Sequence, residues 1–207
     1  MKFRIHTLFF ASIFFLTSTS ASSELKGFYA IASAGSSLSK TKSAPDFKTS
    51  PFGSLGVGYH FNDMLRSDIS LQHRKILSKP TLSLSFKDAH NTSLMWNMYL
   101  NLTDSQDQFR PYLTAGVGYG RNQMKKFTVT RNSIQVVHHG GTNDVFVWNA
   151  GVGSIMQFSK NLGVDFGYRY VNLGDIKGKL TVGGGTASVH IKDVRAHEFT
   201  VGLIVKL

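Results

Sequence analysis

Leu162-Gly163-Val164-Asp165-Phe166-Gly167-Tyr168-Arg169-Tyr170 decides the fold. Leu162, Val164, Phe166, Tyr168 and Tyr170 share one side of an extended chain, and Gly163, Asp165, Gly167 and Arg169 share the other. Unbroken alternation at period two specifies a strand with one apolar and one polar face. In a soluble sandwich the apolar face turns to a core. In a membrane barrel it turns to lipid, and the polar face lines a narrow interior.

The same pattern recurs on both sides of this stretch. Pro51–Phe61 sets Leu55, Val57, Tyr59 and Phe61 against Ser54, Gly56, Gly58 and His60. Leu65–Ile76 sets Leu65, Ile69 and Leu71 against Arg66, Asp68, Ser70, Gln72 and Arg74. Thr92–Leu102 places Leu94, Trp96, Met98, Leu100 and Leu102 opposite Asn97, Tyr99 and Asn101; its Leu and Met favour helix, but strict alternation favours strand. Phe109–Gly120, Asp144–Phe158 and Ala196–Leu207 alternate likewise, with Pro111 tolerable near a strand start. Gly27–Gly35 is a first strand whose small residues leave its facing open.

The connectors between these eight strands alternate long and short. Ser36–Ser50, Leu77–Asn91, Arg121–Asn143 and Val171–Arg195 are long and polar, whereas Asn62-Asp63, Thr103–Gln108 and Ser159-Lys160-Asn161 are short. Long external loops and short periplasmic turns are the asymmetry of an outer-membrane barrel, and strands of this length cross a bilayer on a tilt. The expected fold is therefore all-β, an eight-stranded antiparallel up-and-down transmembrane β-barrel.

Residues ahead of the first strand fit a secretory signal. Lys2 and Arg4 form a basic head, Leu8 to Leu16 an apolar run too short to span a bilayer, and Ser20-Ala21-Ser22-Ser23 a small-residue cleavage region. Residues 1–22 are expected to be a cleavable signal peptide and 24–207 the barrel domain, with no peptidoglycan-binding domain after Leu207. Beyond the signal no run of 18 apolar residues supplies a transmembrane helix. The chain has no cysteine, which excludes disulfides, thiolate metal sites and cysteine nucleophiles. Loss of Lys2 and Arg4 takes 23 basic residues to 21 against 12 acidic, a net charge of +9. On an exported chain that charge points to anionic lipid and polyanionic sugar rather than nucleic acid.

Three segments resemble the opacity-type surface antigens and related small OmpA-type eight-stranded barrels. Phe109-Arg110-Pro111-Tyr112-Leu113-Thr114-Ala115-Gly116-Val117-Gly118-Tyr119 is similar to their central strand, and Asp165-Phe166-Gly167-Tyr168-Arg169-Tyr170-Val171-Asn172-Leu173-Gly174 to their penultimate one. Thr200-Val201-Gly202-Leu203-Ile204-Val205-Lys206-Leu207 resembles the terminal signal read by the barrel-insertion machinery, although it closes on Leu207 where the family has an aromatic. The resemblance implies a bacterial outer-membrane surface antigen with a structural envelope role and adhesin activity, its long loops extracellular and both mature termini periplasmic.

Three sets of residues are candidates for function. Arg66, Asp68, Arg74, Arg110, Asp165, Arg169 and Glu198 fall on the polar faces. An eight-stranded barrel is just wide enough to be filled by such side chains, so they are read as a structural ion-pair and hydrogen-bond network. A narrow ion channel is the alternative, since the many inward glycines leave space. Gly56-Val57-Gly58, Gly116-Val117-Gly118 and Gly151-Val152-Gly153 lie inside strands with no helix following, which fails the nucleotide-binding fingerprint; they are expected to make room for inward Arg and Tyr side chains.

Second, Lys40, Lys42, Lys48, Lys125, Lys126, Arg131, Lys177, Lys179 and Lys192 make each large loop basic. They are candidate contacts for polyanions, either lipopolysaccharide phosphates or host surface glycans and receptors. Third, His73 and His197 face outward, where with a serine and a carboxylate they would form a lipid-modifying enzyme, but the spacing brings no triad together. His138-His139 lacks a third ligand, so no metal or cofactor is implied. A soluble ligand-carrying barrel would need an apolar interior, which these polar faces do not supply. The expectation is a non-catalytic envelope protein.

Overall fold

A computed structural model describes residues 26–40, 47–78, 89–103, 107–124, 126–131, 134–182 and 185–207. The expected signal peptide lies outside the described residues. Eleven strands run in order: β1 (Gly27–Lys40), β2 (Phe47–His60), β3 (Leu65–Ser78), β4 (Ala89–Asn101), β5 (Phe109–Met124), β6 (Phe127–Arg131), β7 (Ile134–Gln157), β8 (Leu162–Asn172), β9 (Ile176–Val182), β10 (Gly185–Ile191) and β11 (Arg195–Lys206).

Eight of them close a barrel. β1 pairs β2, then β3, β4, β5, β7, β8 and β11 follow, each antiparallel to the last, and β11 returns to β1. The register measures the stagger. Phe28 pairs Tyr59, then Ser67, Met98, Ala115, Ala150, Tyr170, His197 and finally Leu38. One circuit thus climbs ten positions along β1, from Phe28 to Leu38. A shear of this kind tilts the strands against the barrel axis and fixes the interior width. Because ten is even, outward residues meet outward residues all the way round.

The expected facings follow. Leu55 is 67% exposed and Ile69 54%, while Arg66, Arg74 and Glu198 are 0% exposed. The burial of β4 alternates along its whole length, which settles strand over helix there. β1 also resolves: Phe28, Ala30, Ala32 and Ala34 lie on the outer face, with Tyr29, Ile31 and Ser33 within. Its outward alanines had hidden the pattern.

The long connectors need correction, because much of each is strand. β1 runs on to Lys40, β2 starts at Phe47, and β5 reaches Met124. Ser37, Ser39 and Ser50, assigned to a loop from their polarity, are buried inside the barrel wall. Above the bilayer both faces of a strand meet polar surroundings, so hydropathy no longer alternates although the backbone still pairs. β6 pairs the start of β7, which pairs β9, which pairs β10. These form a four-stranded sheet standing on one end of the barrel. The short turns behave as expected: the Asn62 side-chain oxygen accepts from the amides of Met64 and Leu65 at 3.0 and 2.7 Å, an Asx turn.

Candidate functional site

Two plugs fill the interior. In the half near the short turns, the Arg66 guanidinium lies 3.7 Å from the Tyr99 ring centre, 4.8 Å from Tyr112 and 5.6 Å from Tyr29. Its Nη2 is 3.9 Å from Asp165 Oδ1, and the Tyr112 hydroxyl donates to the other Asp165 oxygen at 3.2 Å. Asp68 accepts from Asn97 at 2.7 Å and from the Tyr29 hydroxyl at 3.4 Å. Asn149 continues the chain by donating to Asn97 at 2.9 Å. Arg110, on the same side, finds Gln157 at 2.5 Å rather than a carboxylate.

In the other half, Arg74 Nε is 2.8 Å from Glu198 Oε1, and Arg169 Nη2 is 3.5 Å from Glu198 Oε2. Both guanidinium carbons sit 5.1 Å from the Phe52 ring centre. Arg74 also donates to Asn91 at 2.7 Å and to Gln72 at 2.6 Å. Asn91 donates to Asn122, and Asn122 to the carbonyls of Leu173 and Asp175. That ladder ties the charged centre to an apolar lid. Ile76, Met124, Val147, Leu173, Ile176, Ile191 and Val194 bury one another across the end that carries the extra sheet. Between the plugs lies a cavity of about 20 Å³, room for a single water.

Six of the seven interior charges named from the sequence are thus divided between two clusters, one on Arg66 and one on Glu198, and Arg110 joins neither, since it bonds Gln157. The sequence reading did not include Tyr29, Tyr99, Tyr112, Phe52, Asn91, Asn97, Asn122 and Asn149 among them. Polar parity was the available signal, since tyrosine on a polar face needs a partner for its hydroxyl. The inward glycines accommodate these side chains. A Cβ on Gly58 would collide with the Tyr29 ring, and one on Gly153 with the Tyr112 hydroxyl.

The outer wall is an apolar belt edged by charge. Arg121 and Asp144 pair at 2.8 Å on its upper edge. The outward histidines meet other hydroxyls: His73 Nδ1 lies 2.9 Å from that of Thr92, and His197 Nδ1 lies 2.8 Å from that of Tyr168. Among the described residues no three His, Asp or Glu side chains could hold a metal ion.

The basic residues expected on loops are more dispersed. Lys40 ends β1, Lys126 lies between β5 and β6, Lys177 is the second residue of β9 and Lys192 follows β10; all four are exposed. Lys48, Arg131 and Lys179 fall within β2, β6 and β9 rather than in loops, by the same persistence of pairing above the bilayer. Lys42 and Lys125 lie outside the described residues. The aspartates at this end are engaged. Asp175 meets His190 at 2.8 Å and accepts the Asp193 amide at 2.9 Å, and Asp193 pairs Arg195. The Asp193 amide, with His190 behind it, holds the Asp175 carboxyl below the usual carboxylate range.

Residues 7–206 match the family described as an outer membrane protein beta-barrel domain. The chain belongs to that family. It is an integral protein of the bacterial outer membrane, and in such barrels the long hairpins face outside and the short turns the periplasm. Outer membrane protein PagN of Salmonella typhimurium is 24% identical over 170 residues, covering 73% of this chain and 70% of that protein. Neisserial surface protein A superposes with a TM-score of 0.61 at 22% identity, over 87% of this chain and 97% of that one. Ail, the attachment invasion locus protein of Yersinia pestis, gives 0.52 at 13% identity, over 88% and 99%. A second Ail structure, in complex with the heparin analogue sucrose octasulfate, gives 0.50 at 14% identity, over 87% and 99%. The solved structures support the fold.

Proposed function

We propose that this protein is a non-catalytic surface antigen whose extracellular hairpins bind sulfated or phosphorylated glycans, on host cells or on neighbouring lipopolysaccharide. One observation carries the reading. At the extracellular end Asp144, Asp175 and Asp193 are each held by a base, whereas Lys40, Lys126 and Lys192 make no ion pair with a carboxylate among the described residues, and Lys177 acts on the already paired Asp175 only through its field. The exposed excess is therefore positive, presented by lysines in or beside the paired strands of this end. That an Ail structure holds a heparin analogue agrees with this chemistry. The two plugs favour a structural interior over a channel, and the Thr92 and Tyr168 partners of the outward histidines favour binding over lipid hydrolysis.

The test is retention of the folded protein on immobilised heparin across a salt gradient. Wild type is expected to bind at low salt and to elute as ionic strength rises. Lys126→Glu, Lys177→Glu and Lys192→Glu combined should elute at clearly lower salt. Unchanged elution of the triple variant would remove the hairpins from the reading.

A further inference from the structure

We propose that the outer wall across β11, β1, β2 and β3 is a seat for a phosphorylated, multiply acylated sugar lipid of the outer leaflet. The site is separate from the hairpin lysines and depends only on placement in the outer membrane, not on the glycan reading.

A groove of about 780 Å³ crosses this wall. Ala32, Ala34 and Gly53 form its floor. Val201 and Leu203 rise on one side, Leu55 and Leu71 on the other. The floor is low because these outward residues end at Cβ or lack it. A Cβ added at Gly53 would meet nothing nearer than the Ser33 carbonyl at 3.9 Å. Such a channel, open to hydrocarbon, fits an acyl chain along the strands.

The upper end of the groove differs in chemistry. His73 and Lys75 line it, two and four residues above Leu71 on the outward face of β3. Lys75 is exposed and has no carboxylate partner among the described residues. His90 is its cross-strand partner, and the His90 ring stacks on His73 with centres 5.6 Å apart. Three bases thus gather where the apolar belt ends. The groove lining holds no outward carboxylate, and Asp144 and Asp193 along the rim are already paired with Arg121 and Arg195. A base cluster directly above an acyl-sized groove complements a molecule with phosphate above and hydrocarbon below. A second copy of this chain fits less well, because two-fold contact through the groove would set Lys75 beside its own symmetry mate.

The test uses the full folded protein in zwitterionic micelles, with hexa-acylated bisphosphorylated lipid A as the probe and native mass spectrometry as the readout. Wild type should retain this lipid about fivefold or more better than its dephosphorylated form, since a cation near a membrane surface is worth about 1 kcal/mol toward an anionic lipid. His73→Ala with Lys75→Ala should remove that preference. Gly53→Leu should weaken both lipids alike, and an unchanged heat-shifted gel band would show that each variant is folded. Inorganic phosphate alone should not bind. Reversal of Lys126, Lys177 and Lys192 should leave lipid retention as it was. Equal retention of the two lipids by wild type, loss only on hairpin reversal, or a Gly53-dependent dimer without bound lipid would each overturn the proposal.

Discussion

Arg74 and Glu198 meet at 2.8 Å in the interior of the barrel, both without solvent exposure. Arg169 shares the same carboxylate at 3.5 Å, so one acid answers two bases. A charge taken from water into such a place is tolerated only while its partner and hydrogen bonds are present.

Glu198→Ala should therefore cost about 3–5 kcal/mol, because it strands Arg74 and Arg169 together. Glu198→Leu combined with Arg74→Met and Arg169→Met should recover much of that loss, since an apolar cluster of similar volume needs no counter-charge. Urea titration of the protein folded in vesicles, read by gel mobility without boiling, checks both. A single variant as stable as wild type would show that water reaches the pair.

Ile69 tests which face meets lipid. It lies on the outer face of β3, next to Asp68 and two residues from Leu71. Ile69→Arg should cost about 2–4 kcal/mol, the range for an arginine at mid-depth on a lipid-facing wall. Lys75→Arg, at the rim, should cost nothing measurable. Comparing folding yields into short-chain lipid vesicles distinguishes the two.

The residues show why some of this was legible in the sequence. Facing depends on parity alone, and inside the bilayer lipid and interior differ so sharply that Leu71, Gln72, His73 and Arg74 sort themselves. Partnership is another matter. Arg74 meets Glu198, and Arg66 meets Asp165, only because one circuit of the register advances ten positions. No local pattern encodes that stagger. The extra sheet was hidden for a different reason: β9 and β10 pair above the membrane, where Lys177 and Lys179 read as a polar loop although their backbone is extended. Tyr29 was missed because Ala30, Ala32 and Ala34, which follow it on the outer face of β1, mark neither face.

Two glycines of β2 should respond oppositely to substitution. Gly58 faces inward, and a methyl there would collide with the Tyr29 ring and the Ser67 carbonyl. Gly58→Ala should cost about 1–3 kcal/mol as Tyr29 shifts away from Arg66 and Asp68. Gly53 faces outward with open space, so Gly53→Ala should stay within about 0.5 kcal/mol of wild type. The same urea titration reads both. A neutral Gly58→Ala would mean that the tyrosine cluster can repack.

The hairpin of β9 and β10 should loosen in acid. Asp175 anchors it by accepting the Asp193 amide and by pairing His190, while the Asp175 carbonyl accepts from Asn122 and Asn143. Its carboxyl titrates below the usual range in the folded hairpin. The sign follows from that depression. The carboxylate's contribution is complete above the unfolded value of about 4, and it is lost as pH falls through the lower folded value. The side chain is partly exposed and lies on the extra sheet, so the loss stays local and the barrel remains closed. Amide exchange across residues 176–191 should therefore rise below about pH 4 while β3 and β4 stay protected. Asp175→Asn should give fast exchange at every pH. If exchange in wild type is flat through the carboxylate range, the amide-to-carboxylate contact is not what holds the hairpin down.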